Sequence, residues 1–292
     1  MLSHLWAIFL APFHDFIFMR HALVACLALA LGCGPIGVLL VLRRMSLVGD
    51  ALSHGVLPGV AVGFLVSGLS LYSMTLGGIV AGLAVALLSG AVSRVTLLRE
   101  DASFAAMYLV SLALGVLLIS WRGSSVDLVH VLFGTILAVD DAALVLVASI
   151  TTATLLILAI IYRPLIVECF DPGYLRSISG KGAEVHTAFL ILVVLNLVAG
   201  FQALGTLMAV GMMMLPAVSA RFWARQVWST AMVAVVIAML SGYAGLLLSY
   251  HCNLPSGPSI ILTAGFGYAF SVICGAHGSI YGRYRKARHL TG

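Results

Sequence analysis

Asp50 and His54 have the residue types and the spacing in this sequence that are best suited to chemistry. They lie in the segment RRMSLVGDALSHGVLPG, residues 43–59, and Asp50 is the only carboxylate inside a predicted membrane-spanning segment. Residues four apart share one face of an α-helix, so the pair can offer one oxygen and one nitrogen to a metal ion or a proton. A carboxylate at bilayer depth costs several kcal/mol and therefore indicates function. The alternative is a structural Asp–His hydrogen bond between helices.

The composition of the chain predicts an all-α polytopic membrane protein. Of its 292 residues, 62% are hydrophobic and only 9% are charged, and its mean hydropathy is +1.15. Such values exclude an ordinary soluble domain. The sequence also lacks the sustained two-residue alternation that is typical of an outer-membrane barrel.

Apolar runs separated by charged, proline or glycine residues predict the spans. They lie near 17–42, 45–67, 74–93, 102–121, 142–162, 186–205, 206–220, 228–250 and 258–281. The seventh is short and contains Pro216, so eight or nine crossings are expected, each covering about 30 Å of hydrocarbon. Residues 1–16 are interpreted as an interfacial N-terminal segment, 17–281 as the transmembrane domain and 282–292 as a basic tail.

The basic residues predict the orientation. With residues 163–185 and the C-terminus in the cytoplasm, 13 of the 15 Lys and Arg residues lie inside, and only Arg20 and Arg122 lie outside. This bias agrees with the positive-inside rule and favours the ninth crossing. Asp50 and His54 then lie roughly 10–15 Å beyond Arg43, close to the membrane midplane, where transport sites are commonly found.

A short amphipathic helix is predicted at about 171–180 on the cytoplasmic side. Asp171 and Pro172 match the cap and first position of a helix, and Gly180 provides its end. Leu175 and Ile178 share one face, and Arg176 lies elsewhere. A helix of two turns is not stable alone, so it requires either a groove on a partner or the chain's own helices.

Three further residues are candidates near the outer face: Asp127, His130 and His251. They could receive a metal ion from an extracellular protein, although an outer-loop histidine is more often simply solvated. No G-x-x-x-x-G-K-[S/T] sequence is present, so no nucleotide site of that kind is predicted. The absence of G-x-S-x-G and H-E-x-x-H disfavours a membrane hydrolase.

The sequence resembles the permease subunit of bacterial ABC importers for manganese, zinc or iron, from about residue 17 to 281. The segments that carry the resemblance are RRMSLVGDALSHGVLPG, LFGTILAV (132–139), FDPGYLRSISG (170–180), GTLMAVGMMMLPAVSAR (205–221) and PSGPSIIL (255–262). The resemblance implies metal binding by Asp50 and His54, and docking of 171–180 on a separate ATPase chain. The chain departs from many relatives at EDASFAAMYLV, so no role for Glu100 or Asp101 follows from it.

The resemblance also implies the assembly. A second permease copy or paralogue, two ATPase chains and an extracellular or periplasmic metal-binding protein are expected, in the bacterial cytoplasmic membrane. No permanently bound cofactor is expected, only the transported divalent ion. The expected partners are proteins and membrane lipid, and no nucleic acid.

Two other transport functions remain open. In a proton-coupled secondary transporter, Asp50 and His54 would relay protons without an ATPase. A related ABC permease would carry a metal chelate, which would not need paired ligands at the midplane. Oxygen and nitrogen ligands without a nearby thiol or thioether suit Mn²⁺, Zn²⁺ or Fe²⁺ rather than Cu⁺, and the sequence does not choose among the three.

Overall fold

In a computed structural model, residues 9–68, 70–98, 100–121, 139–171 and 182–281 are described. They form eleven helices and no strand. These are α1 Ala11–Asp15, α2 Ile17–Leu42, α3 Ser46–Gly55, α4 Leu57–Ser67, α5 Leu71–Val95, α6 Glu100–Trp121, α7 Asp141–Phe170, α8 Gly182–Leu204, α9 Thr206–Ala220, α10 Val227–Cys252 and α11 Ser256–Cys274. Most of the predicted short helix, Asp127, His130 and the basic tail fall outside these ranges.

Eight spans in the described part of the chain are long and apolar enough to cross a membrane, with α3 and α4 together forming one of them. This confirms the predicted fold class. The 15-residue α9 is apolar but shorter. Helix α2 is largely buried among its neighbours, as are α8 and the α3–α4 pair, whereas α6, α7 and α11 lie mainly at the surface.

Contacts between helix ends define two faces of the bundle. On one, which we call the Arg43 face, the end of α2 meets the end of α7 and the start of α8, through Cys169 and His186. On the opposite face, the Phe16 ring before α2 lies 5.7 Å from the Tyr250 ring near the end of α10. The chain leaves the Arg43 face along α8 and returns to it before α10, so α9 must carry it back, as a crossing by the seventh predicted span, 206–220, requires.

Two predicted spans differ in detail from the structure. The second is divided at Val56, and Pro58 lies in the first turn of α4, where the missing N–H is tolerated. The fifth continues to Phe170, well beyond the predicted end at residue 162, with Pro164 inside the helix. A membrane helix tolerates such a proline because neighbouring groups can compensate for the lost hydrogen bond.

Close packing of glycines fixes α4 against α5. A methyl group added to Gly59 would collide with the carbonyl group of Gly77, and one added to Gly77 would collide with that of Gly59. Small residues allow two helix backbones to approach in this way. The glycine pattern on the second span therefore anchors α4, the helix that directly follows the candidate site.

Candidate metal site

Helix α3 is a short element that carries both candidate ligands. Arg44, which precedes it, has a φ of 59°, in the left-handed region that non-glycine residues rarely adopt. At its other end, the Val56 N–H donates to the Leu52 carbonyl at 3.1 Å before the chain continues into α4. Ser53 donates its hydroxyl to the Asp50 carbonyl at 2.8 Å. The helix is thus bounded by a tight turn and by a helix break.

The side chains of Asp50 and His54 face each other at the spacing of a shared ion. Their closest atoms, Oδ1 and Nε2, are 3.7 Å apart, which is too long for a direct hydrogen bond. A metal ion that binds both atoms through bonds of about 2.0–2.2 Å would have them at a ligand–metal–ligand angle of roughly 120°. The two atoms are therefore far enough apart to hold a cation between them.

The surroundings of His54 leave one of its ring nitrogens without a partner. Nδ1 is buried and makes no hydrogen bond within the described part of the chain. The Tyr108 ring of α6 lies 6.1 Å from the imidazole, tilted by 32°. Ser111, one turn further along α6, donates its hydroxyl to the Gly55 carbonyl at 2.9 Å. Helix α6 thus supports α3 on the side of the ligands, while Nε2 remains directed at Asp50.

A methionine also approaches α3. A methyl group added to Gly49, the residue before Asp50, would lie 2.7 Å from the Met214 Cε atom of α9. A thioether side chain therefore lies beside the site, which the sequence analysis did not anticipate. Tyr108 and Ser111 were missed as well, because nothing in their spacing links them to the pair. The only signal for Met214 is its position in the run Met212–Met214.

One chain supplies an incomplete set of ligands. Within the described residues, no group of three or more His, Cys, Asp or Glu side chains is placed to hold a metal ion. The Asp50 side chain is 59% exposed and that of His54 is 30% exposed. The pair therefore lies at the surface of the single chain, accessible to ligands from another molecule.

Asp171 and His251, the other predicted residues within the described ranges, do not lie at this site. Asp171 directly follows α7, where its N–H donates to the Val167 carbonyl at 2.8 Å. His251 is exposed at the end of α10, with its ring 5.3 Å from that of Tyr250, on the face opposite Arg43. That face also contains a pair that the sequence analysis missed, in which His21 Nε2 lies 3.5 Å from Asp141 Oδ1.

Comparison with known proteins assigns the family. The model of the ABC 3 transport family matches residues 15–275. The chain belongs to this family. Its relatives in the ABC 3 family include the manganese import system permease protein ScaB of Streptococcus parasanguinis, 32% identical over 96% of this chain and 97% of the relative. The manganese transport system membrane protein MntC of Halalkalibacterium halodurans is 31% identical over 94% and 93%.

A third relative and two solved structures extend the comparison. The chelated iron transport system membrane protein YfeD of Yersinia pestis is 28% identical over 93% of this chain and 90% of the relative. PsaBC from Streptococcus pneumoniae, solved in complex with Fab, has a TM-score of 0.84 and 30% identity, covering 99% of this chain and 100% of the other. A putative metal-chelate type ABC transporter in an inward-facing conformation has a TM-score of 0.67 at 18% identity, covering 85% and 82%, and shares the fold.

Proposed function

We propose that this chain is the permease subunit of an ATP-driven importer that carries a divalent transition metal ion. The ion is bound by Asp50 and His54 at an interface between two permeases. The observation that carries the proposal is the 3.7 Å separation of Oδ1 and Nε2 on a short, well-bounded helix. Membership of the ABC 3 family and the names of its manganese-transporting relatives support the same function.

The incomplete ligand set supports a site shared between two chains. A twofold axis beside α3 would bring together two Asp50 and two His54 side chains, giving two oxygen and two nitrogen ligands. This set suits Mn²⁺, Zn²⁺ and Fe²⁺. We take Mn²⁺ as the first cargo to test, because several relatives are named as manganese permeases. The second permease is either another copy or a paralogue.

The distribution of charge supports an orientation. Arg43 and Arg44 at the end of α2, together with Arg221 and Arg225 after α9, lie towards the Arg43 face. By the positive-inside rule we assign this face, and the C-terminus, to the cytoplasmic side of the bacterial inner membrane. A separate ATPase then docks there on residues 171–180, and a metal-binding protein delivers the ion to the opposite face, which holds His251.

A metal chelate is the second candidate cargo, because YfeD is named for chelated iron. A chelator already occupies most of the ligand positions of its metal, so it would leave Asp50 and His54 with little to bind. Transport of a chelate would therefore tolerate loss of the pair, whereas transport of the free ion would not.

The test is manganese uptake by cells that lack other manganese importers and express this chain with its ATPase and binding protein. We expect uptake by the wild type and a loss in Asp50→Asn, which keeps the shape of the side chain but removes the charge. Asp101→Asn is the matched control, because Asp101 is an acid in the first turn of α6 that has no proposed part in metal binding. Normal uptake by Asp50→Asn would refute the proposed site.

The energy source is tested in the same cells. An ATPase variant that binds but does not hydrolyse ATP should stop uptake, and a protonophore should not while ATP is maintained. The opposite pattern would establish a proton-coupled transporter and overturn the ABC mechanism. Competition of Zn²⁺, Fe²⁺ and a chelated iron complex with manganese uptake then gives the order of preference among the possible cargoes.

A further inference from the structure

A second group of charged side chains lies on the Arg43 face, away from Asp50 and His54. It joins the ends of four helices: Arg43 follows α2, Glu100 begins α6, Cys169 is near the end of α7, and His186 is in the second turn of α8. His186 and Arg43 are 143 residues apart along the chain. The proposed metal site uses none of these four residues, and the family resemblance assigns no role to any of them.

The contacts in this group are short. The Arg43 Nη1 atom lies 2.7 Å from His186 Nδ1, and Arg43 Nε donates to Cys169 Sγ at 3.2 Å. On its other side, His186 Nε2 lies 3.0 Å from Glu100 Oε1. The guanidinium carbon also lies 4.9 Å from the centre of the Phe189 ring, a cation–π contact.

The charges determine which tautomer His186 adopts. A guanidinium group can only donate hydrogen bonds, so Nδ1 of His186 must accept from Arg43. The proton of the neutral imidazole then lies on Nε2, the nitrogen that faces the Glu100 carboxylate. The side chains of His186 and Glu100 are only 13% and 31% exposed, so solvent weakens the contact of the imidazole with the carboxylate less than it weakens a contact at the surface. His186 thus bridges a cation and an anion on different helices.

The same residues are connected, in sequence or by contact, to both the proposed docking segment and the proposed metal site. Cys169 and His186 lie on either side, in sequence, of residues 171–180, the segment that we assign to ATPase docking. Arg43 is separated from α3 only by the turn at Arg44. Glu100 begins α6, the helix that places Tyr108 beside His54 and hydrogen-bonds Gly55 through Ser111.

We propose that Arg43, His186 and Glu100 are positioning residues that transmit movement of the ATPase-docking segment to the Asp50–His54 site. This inference rests on the proposed function. When the flanking ends of α7 and α8 move, the bridge moves the end of α2 with the start of α6; α2 leads into α3 through the turn at Arg44, and α6 contacts α3 through Tyr108 and Ser111. Networks of polar contacts that join rigid helices are one of the ways in which coupling is carried between distant sites.

The experiment measures manganese transported per ATP hydrolysed by the purified complex of permease and ATPase in liposomes, with the binding protein added. His186→Leu removes both contacts of the imidazole. His186→Gln keeps an acceptor for Arg43 and a donor for Glu100 on one amide group. Glu100→Gln keeps the shape of the carboxylate and removes its charge, and Asp101→Asn changes the neighbouring acid as a control.

We expect His186→Leu and Glu100→Gln to retain the ATPase and to hydrolyse ATP, while manganese transported per ATP falls by about fivefold or more, the lower range of ordinary coupling energies. His186→Gln and Asp101→Asn should keep most of the wild-type ratio. Because the glutamine keeps a polar group for Arg43 and for Glu100 without the ring, its rescue separates positioning from simple packing. Should His186→Leu fail to assemble, Glu100→Gln and His186→Gln decide the result.

A wild-type ratio in both His186→Leu and Glu100→Gln would overturn the inference. It would also be overturned if His186→Gln were as defective as His186→Leu, since shape rather than hydrogen bonding would then matter. In either case, wild-type protein that still moves manganese with ATP leaves the proposed function intact. Failure of the wild type to do so would instead refute the proposed function.

Discussion

His54 and His186 show how differently one residue type can be used within the same bundle. His54 keeps Nδ1 buried without a hydrogen-bond partner in the described structure, and its Nε2 faces a carboxylate at 3.7 Å. His186 has both ring nitrogens within close reach of charged groups, at 2.7 Å from Arg43 and 3.0 Å from Glu100. The contact of His54 leaves room for an ion between Nε2 and the Asp50 carboxylate, whereas the contacts of His186 leave no such room.

Under the two proposals, this difference separates a metal-binding histidine from a positioning one. A histidine that already bridges opposite charges gains nothing from a metal, because the neighbouring guanidinium would repel it. We therefore expect substitutions at the two positions to affect different steps of transport.

The largest expected effect is on metal binding by His54→Leu. We expect the affinity of the purified permease–ATPase complex for Mn²⁺ to fall by more than about 100-fold, because even residues that only support a metal ligand contribute roughly 10–100-fold. His186→Leu should leave the affinity close to that of the wild type. Equilibrium binding of Mn²⁺ measures both, and equal losses in the two variants would abolish the distinction between the histidines.

The next effect concerns the ATPase. Leu175→Asp combined with Ile178→Asp should detach that subunit, because an unpaired charge buried in an interface costs roughly 3–5 kcal/mol. Mn²⁺ binding that depends on His54 should survive. Arg176→Ala is the matched control on the same segment, since an exposed ion pair contributes only about 0–1 kcal/mol. Equal recovery of the ATPase in a pull-down of wild type and double variant would show that the segment is only a surface helix.

The smallest expected effect is on the packing of α4, the helix that follows the candidate site, against α5. Gly59→Ala places a methyl group against the Gly77 carbonyl and should destabilise the protein by about 1–3 kcal/mol, seen as a lower Tm in detergent. Gly90→Ala on α5 is the control, because a methyl group there meets nothing within 4 Å. It should be neutral or stabilising by roughly 0.5–1 kcal/mol. An unchanged Tm in Gly59→Ala would mean that α4 is free to shift.

The sequence predicted the helical bundle well because apolar runs and their charged or glycine breaks report directly on membrane helices. It missed the continuation of α7 past Pro164, since a proline after Arg163 resembles a helix end when the neighbouring helices are unknown. It also could not anticipate the break at Val56, because Pro58 is compatible with a kink, a break or the start of a new helix.

The candidate site was predicted only in part. Asp50 and His54 were found because an i,i+4 spacing on one helix is visible in sequence. Tyr108, Met214 and the bridge through His186 depend on contacts between distant helices, for which a single sequence carries no signal. Glu100 was set aside because its local segment departs from relatives, yet the structure places its carboxylate 3.0 Å from His186.

The turn at Arg44 and the interruption at Val56 set α3 apart as an element of ten residues that carries both proposed ligands. If this element moves as a unit in the proposed dimer, the two ligands of one chain keep their mutual distance, and only the distance to the ligands of the other permease changes. An ion between two such elements would be held by four ligands when they meet and by two when they part. Its affinity would then be switched by halving the coordination number, without any side chain changing its rotamer.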